Sequence, residues 1–270
     1  MADTKVGIIG AAGRMGRAIT QQVTKTDGCI VVAACDKRET NLVGSDVGEL
    51  AGISSVGVKL VEDASSVISA ADVVIEFTLP DATIGNAKLT AAATVPHIIG
   101  TTGMLPQQLE LLKQAAEKTV IMHAPNMSLL VNLLFALTKQ VAATLGEEFD
   151  IEIFEMHHKH KVDAPSGTAL RIGEAAADGR GVDLENVAEW ARHGITGERE
   201  KGSIGFATLR GGNVVGDHSA IFAVEDERLV LSHKAQSRQI FARGAVHAAL
   251  WACNQKPGYY NMFDVLGIKY

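Results

Sequence analysis

The run His157-His158-Lys159-His160-Lys161 sets three imidazoles and two ammonium groups in five consecutive positions, and Val162 to Thr168 then leads through Pro165 into a helix start. Imidazoles titrate near neutrality and ammonium groups stay charged there, so such a run suits binding a small anion and handing it a proton. Ser166 reads as a helix N-cap, and the first-turn amides of Gly167 and Thr168, together with His158 and Lys161, form a receptor for a carboxylate. In an extended chain the period of two puts His157, Lys159 and Lys161 on one face and His158 and His160 on the other, which aims His157 and Lys161 at one site. A metal centre is not expected. Histidines at adjacent and alternate strand positions do not converge, the sequence has no H-E-x-x-H segment, and the lysines repel a cation.

A second chemistry-bearing segment opens the chain. Gly10-Ala11-Ala12-Gly13-Arg14-Met15-Gly16 follows a β-branched run and precedes a helical pattern, where glycines let the backbone turn tightly against a pyrophosphate at a helix N-terminus. Asp36 lies 20 residues beyond Gly16 at the end of the next strand, placed to take the ribose hydroxyls of an adenine dinucleotide. Lys37 and Arg38 follow it. The carboxylate repels a 2′-phosphate and the adjacent cations attract one, so both NADH and NADPH are expected cofactors. Gly100-Thr101-Thr102-Gly103 and Ala124-Pro125-Asn126-Met127-Ser128 stand at later strand ends, where their backbone and hydroxyl groups are placed to hold the nicotinamide carboxamide.

The elements that must position these residues follow from periodicity. Strands are expected at Lys5–Ile9, Ile30–Cys35, Val73–Phe77, His97–Ile99 and Val120–Met122. They alternate with helices over Arg14–Val23, about Ala82–Ala93 and Pro106–Lys118, which implies right-handed crossovers and a parallel sheet. A long helix over Ser128–Leu145 breaks the alternation. Strands at Ile151–Met156, Ile204–Arg210, Val215–Val224 and Leu229–His233 come next, with turn signals at Gly211-Gly212-Asn213 and Glu225-Asp226-Glu227 that predict antiparallel hairpins. Gly179–Gly202 reads as a surface excursion, and the helix Ile240–Trp251 is expected to return to the first domain. The fold class is therefore α/β: a Rossmann-type doubly wound parallel sheet over residues 1–127 and 238–270, with a second α+β domain on a mixed or antiparallel sheet over 128–237.

Composition bounds the rest. A chain of 270 residues, 47% hydrophobic, is long enough for two cores, and a net charge of −6 with one short His-rich basic cluster argues against nucleic acid and for a small acid as partner. Cys29, Cys35 and Cys253 are odd in number and lack CxxC spacing, so they read as buried small hydrophobes in a reducing compartment. No basic and apolar leader precedes the first strand, and the apolar stretch around Leu129–Leu137 is too short for a bilayer, so no membrane role and a cytoplasmic location are expected.

These residues carry a resemblance over nearly the whole chain. Gly10–Gly16, Gly100–Gly103, Ala124–Asn126, Glu155–Thr168, Gly197-Glu198-Arg199, Ile204–Ala207, His233-Lys234-Ala235 and Ser237-Arg238 together resemble the 4-hydroxy-tetrahydrodipicolinate (dihydrodipicolinate) reductases of lysine and diaminopimelate synthesis. The resemblance implies NAD(P)H-dependent reduction of a cyclic imine dicarboxylate. It makes His157 the proton donor and Lys161 a second one, with His158, Gly167 and Thr168 on the substrate carboxylates. Gly10, Ala11, Ala12, Gly13, Arg14, Met15, Asp36, Lys37, Gly100, Thr101, Thr102, Ala124, Pro125, Asn126 and Met127 become cofactor positions. It also implies a homotetramer through the second, substrate-binding domain. Met127 stands where the family usually has an aromatic residue, and Leu79 where some members have a basic one. Two rivals share only the nucleotide loop: another two-domain dehydrogenase of aspartate-family metabolism, and an NAD(P)-sensing module. If Lys37 attracts a 2′-phosphate, Lys37→Ala raises the KM for NADPH and leaves that for NADH unchanged in initial-rate measurements.

Overall fold

The computed structural model describes residues 2–37 and 41–269; Arg38, paired with Lys37 in the sequence reading, lies outside them. The chain forms two compact units, one of Met1–Leu129 with Gln239–Lys269 and one of Leu130–Arg238. Strands and helices alternate through the first: β1 (Thr4–Ile9), α1 (Arg14–Thr24), β2 (Cys29–Cys35), α2 (Val47–Leu50), β3 (Leu60–Val61), α3 (Ala64–Ala70), β4 (Val73–Glu76), α4 (Pro80–Ala93), β5 (His97–Ile99), α5 (Pro106–Ala116) and β6 (Val120–His123). Helix α6 (Leu129–Thr144) leads into the second unit, with β7 (Asp150–His157), α7 (Gly167–Arg180), α8 (Leu184–Val187), β8 (Ala188–Glu189), β9 (Ile204–Arg210), β10 (Gly216–Ala223) and β11 (Arg228–Ala235). The chain returns to the first unit with α9 (Gln239–Ala252), β12 (Gly258–Tyr260) and α10 (Met262–Leu266).

The first unit is a seven-stranded parallel sheet in the order β12-β6-β5-β4-β1-β2-β3. Its central strands are apolar on both faces, as a sheet covered by helices on each side requires: Val6, Ile8, Val73, Val74, Ile75, Ile98 and Ile121 are fully buried. Helix α1 buries Ile19 and Val23, four residues apart on one face of the helix. Helix α9 carries Ala242, Gly244, Ala245, Ala248, Ala249 and Ala252 on its buried side, and small residues let its backbone lie close to its neighbours. Gly244 is the tightest point, because a Cβ there would overlap the carbonyl oxygen of Met127.

The second unit is a mixed sheet in the order β11-β10-β7-β9-β8. Strands β7, β9 and β8 run parallel, and β10 is antiparallel to both β7 and β11. The Glu225–Glu227 turn closes the expected hairpin of β10 and β11. Gly211–Asn213 does not close one. Strand β7 lies between β9 and β10, and the turn pairs with the end of β7 instead, Gly211 N donating to His157 O at 2.9 Å and Lys159 N to Gly212 O at 3.2 Å. The segment after α7 is also more than an excursion: β8 joins the sheet, Trp190 stacks on Phe206 at 4.8 Å, and Arg192 and Arg199 both bind the Glu152 carboxylate. Of the cysteines, Cys29 and Cys35 are buried and Cys253 is exposed, against the expectation for the last. Overpacking a tight site costs about 1–3 kcal/mol, and each kcal/mol lowers the melting temperature of a chain this size by roughly 2–4 °C. Gly244→Ala is therefore expected to lower the calorimetric midpoint by at least about 2 °C.

Candidate active site

Along β7 the side chains of Ile151, Ile153, Glu155 and His157 alternate into the interior, so the last two polar residues of the strand share the face that its apolar residues define. Glu155 is 1% exposed, and four donors meet its carboxylate. His157 Nδ1 lies 2.6 Å from Oε2, Ser166 N donates to Oε1 at 2.9 Å, and the Arg210 guanidinium donates to both oxygens at 2.9 and 3.0 Å. Burial works against the charge on Glu155. The bonds from Arg210, His157 and Ser166 outweigh it and hold the carboxyl below its ordinary value. An ionised carboxylate only accepts, so His157 Nδ1 carries a hydrogen and Nε2 is the nitrogen left to exchange a proton.

The space at Nε2 is kept by Gly216, the first residue of β10, where a Cβ would lie 3.0 Å from that atom. The next inward residue of β10, His218, sits opposite Glu155 in the strand register, with its ring edge-on to His157 at 5.0 Å. Its Nε2 lies 3.1 Å from Ser166 Oγ. That hydroxyl oxygen also accepts from Ala169 N at 3.1 Å, which makes Ser166 the side-chain cap of α7. The N-terminus of a fourteen-residue helix, at Gly167 and Thr168, thus begins beside the Glu155–His157 pair and carries its partial positive charge.

Strand β7 ends at His157, so the face assignment for the residues after it does not hold. Beyond that point β9 has ended at Arg210 and β10 has not begun, and without ladder partners the chain turns, Lys161 N donating to His158 O. His158 is half-buried and Lys159 and His160 are exposed. Lys161 reaches Asp163, its Nζ donating to both carboxylate oxygens at 2.7 and 2.8 Å, and the bond from Lys161 holds the Asp163 carboxyl below its usual range.

The first unit presents a second constellation at the C-terminal ends of its strands. Gly10 turns the chain at φ +82°, where a Cβ would lie 2.8 Å from Phe77 O. Asp36 accepts from Ala12 N and Lys37 N, both at 2.8 Å, which ties the loop to the end of β2 and leaves lone pairs on each oxygen for hydroxyl donors. Gly13 caps α1 with no side-chain hydrogen bond, and the first turn holds no acidic residue. A cavity of about 340 Å³ opens here, lined by Gly10, Gly13, Asp36, Lys37, Thr78 and Asn86 among others. An uncapped helix N-terminus, a close-approach glycine and a strand-end carboxylate fit the pyrophosphate and ribose of a dinucleotide.

Behind that cavity Glu76, fully buried, accepts from Asn86 Nδ2 at 2.9 Å, from Thr83 Oγ1 at 3.1 Å and from Thr78 Oγ1, and lies 2.8 Å from His97. The Thr101 hydroxyl, expected on the carboxamide, is engaged by Thr83 at 2.8 Å and Thr78 N at 3.2 Å. Among the other expected cofactor positions, Met127 and Ala124 are buried in the apolar core, Gly100 packs under the Phe77 ring, and Thr102 and Pro125 are exposed. His123 links the two later loops' strands, its Nε2 donating to Thr101 O at 3.2 Å while Tyr259 donates to Nδ1 at 3.0 Å.

The profile of the dihydrodipicolinate reductase N-terminus matches residues 4–127, and that of the dihydrodipicolinate reductase C-terminus matches residues 130–266. The chain belongs to the dihydrodipicolinate reductase family. It is 52% identical to the 4-hydroxy-tetrahydrodipicolinate reductase of Ruegeria pomeroyi over 97% of each chain, and 52% identical to that of Methylocella silvestris over 99% of this chain and 98% of the relative. A dipicolinate-bound dihydrodipicolinate reductase from Paenisporosarcina sp. TG-14 has the same fold, with a TM-score of 0.75 at 24% identity over 97% of this chain and 98% of the other. The fold extends more loosely to an amine dehydrogenase from Mycobacterium smegmatis, with a TM-score of 0.64 at 11% identity over 97% of this chain and 95% of the other.

Sequence reading picked out His157, His158, Lys161, Ser166, Gly167 and Thr168 in this family member and missed what holds them. Glu155 carried a signal, since it stands two residues before His157 and shares its strand face. Arg210, Gly216 and His218 carried none, because only sheet register brings them alongside. Their electrostatics can be measured. Burial first, and then the positive charge of His157, lower His218 from its ordinary 6.5 to about 3; Glu155 pulls it up, and His233 and Lys161 add to the lowering. The unfolded chain therefore takes a proton on His218 below about pH 6.5 that the folded chain refuses until about pH 3. Stability falls with acidification across that window by roughly 1.4 kcal/mol per pH unit from this group. Denaturant titrations at pH 6.5 and 5 are expected to show a smaller acid loss in His218→Phe than in the wild type.

Proposed function

We propose that the chain catalyses NAD(P)H-dependent reduction of 4-hydroxy-tetrahydrodipicolinate to tetrahydrodipicolinate, the reductase step of lysine synthesis through diaminopimelate. The observation that carries the reading is the Glu155–His157 pair, hydrogen-bonded to the N-terminal turn of α7: a proton donor beside an anion receptor. The first unit holds the dinucleotide at Gly10–Met15, Asp36 and Lys37, with Gly100–Thr102 and Ala124–Met127 toward the nicotinamide. Reduced nicotinamide, when bound, supplies a hydride. That hydride goes to C4 of the cyclic unsaturated imine and the electron pair moves toward nitrogen, so what the chain itself must add is a proton at the neighbouring carbon of the resulting enamine.

His157 Nε2 gives that proton, and Glu155 stabilises the ring's charged form while fixing which nitrogen faces outward. Gly167 and Thr168 bind one substrate carboxylate through helix N-terminal amides, with His158 beside them. Lys161 exchanges Asp163 for the other carboxylate and stands as a second donor. Water loss from the hydroxylated substrate draws on the same acids. A homotetramer built through the second unit and a cytoplasmic location complete the reading. Edge strand β11 supports the assembly, since Leu229 and Val230 are 44% and 46% exposed along it. No helix among the described residues is long and apolar enough to cross a membrane.

The test uses substrate made in situ by condensing pyruvate with aspartate semialdehyde, and follows loss of the reduced nicotinamide absorbance with NADH and with NADPH. Oxidation that depends on the condensing enzyme is expected; none with either cofactor, from protein that binds them, overturns the function. Removing a general acid costs about 10²–10⁴ in rate. His157→Ala is accordingly expected to lower kcat with little change in KM, and Lys161→Ala to lower kcat and raise KM, while normal kinetics in both variants overturn the roles of these two residues.

A further inference from the structure

Two residues on neighbouring strands each touch both halves of the site. Glu155 on β7 binds His157 through one carboxylate oxygen and Ser166 N through the other. His218 on β10 packs its ring against His157 and places Nε2 at 3.1 Å from the Ser166 hydroxyl. Register accounts for the duplication, for His218 and Glu155 are paired residues of β10 and β7. The acid and the helix cap are thus clamped from two sides by groups whose own positions are set by sheet hydrogen bonds.

We propose that His218 is a positioning residue that holds the His157 ring and the N-cap of α7 in the mutual geometry that binds a dicarboxylate. The inference rests on the function proposed above. Packing alone does not account for a histidine at this position. It continues the inward row of Ala220 and Phe222 on β10, where an apolar side chain fits the pattern of the strand. The imidazole is 5% exposed, and its Nδ1 has no hydrogen-bond partner among the described residues. A buried polar nitrogen without a partner destabilises a fold, so a residue selected for stability would be phenylalanine or leucine. What an apolar ring cannot do is hold the Ser166 hydroxyl. Without that bond the cap keeps its link to Glu155 only, and the first turn of α7 is free to shift relative to His157 Nε2.

The choice of replacements distinguishes positioning from packing. Phenylalanine preserves the ring against His157 and removes the bond to Ser166; glutamine sets a polar atom where Nε2 stood and removes the ring. The probe is pyridine-2,6-dicarboxylate, a planar diacid, with its Kd measured by calorimetry on the full-length wild type, His218→Phe and His218→Gln. NADH affinity, a property of the other unit, serves as control.

His218→Phe is expected to weaken diacid binding about tenfold and to raise the KM of the cyclic substrate by a similar factor. Its melting temperature at pH 7 is expected to equal or exceed that of the wild type, and its NADH affinity to be unchanged. His218→Gln is expected to recover most of the lost diacid affinity. An unchanged diacid Kd in His218→Phe overturns the inference, as does a loss in His218→Gln as large as that in His218→Phe. A melting temperature of His218→Phe several degrees below the wild type, with diacid binding retained, assigns His218 to packing and also overturns it. Wild-type protein that binds NADH but not the diacid overturns the carboxylate receptor itself, a separate failure seen before any variant is made.

Discussion

A buried carboxylate is among the least favourable groups to place inside a protein, and Glu155 is tolerated only because four donors reach it. Those donors come from three parts of the second unit: His157 from the same strand, Arg210 from the end of β9, and Ser166 from the start of α7. Satisfying one charge therefore fixes the strand end, the neighbouring strand and the helix cap together. Removing any one donor leaves the charge under-compensated, so the arrangement resists partial change. His157 Nε2 inherits its direction from this constraint, since the carboxylate takes the other nitrogen. Arg210 extends the lock by also donating to Asp163 O, which anchors the far end of the turn that carries Lys161.

The first unit solves a different problem by similar means. Its candidate cofactor residues lie in loops at the ends of parallel strands, and loops need anchors to keep one geometry. Asp36 anchors the first of them by accepting from Ala12 N, and Glu76 anchors two others by gathering Thr78, Thr83 and Asn86 while Thr101 bonds to Thr83. Both anchors are carboxylates at strand ends that bind the protein's own donors. Asp36 stays accessible enough to serve a ligand as well, whereas Glu76 is wholly internal. The difference decides which of two similar acids is open to a ligand.

The departures from sequence expectation share one cause. Period-two reasoning carried the strand past His157 because the residue types there are compatible with extension, but a strand persists only while it has partners, and both neighbours of β7 stop or have not started at that level. The Gly211–Asn213 turn looked like a hairpin because its residues suit a tight reversal. It reverses nothing of the kind, because β7, more than fifty residues earlier in the chain, takes the place between β9 and β10. In the loops after β5 and β6 the Thr101 hydroxyl and the Met127 side chain turn inward to bonds and packing with residues distant in sequence, which leaves backbone groups as what these positions offer a ligand.

Local pattern was enough for the alternation of strands and helices, the parallel sheet, the change of architecture near residue 128, the glycine loop tied to Asp36, and the segment from Glu155 to Thr168 as the place where titratable side chains meet a helix N-terminus. These are written in residue type and short spacing, because helix and strand periods, tight turns and helix caps are set by forces that act over a few residues. Which residues complete the site was decided only by the tertiary structure. Arg210, Gly216 and His218 stand 53, 59 and 61 residues from His157, and only the register of β9 and β10 against β7 brings them beside it. Register is set by the whole sheet burying its apolar face at once, a collective condition that no local stretch of sequence expresses.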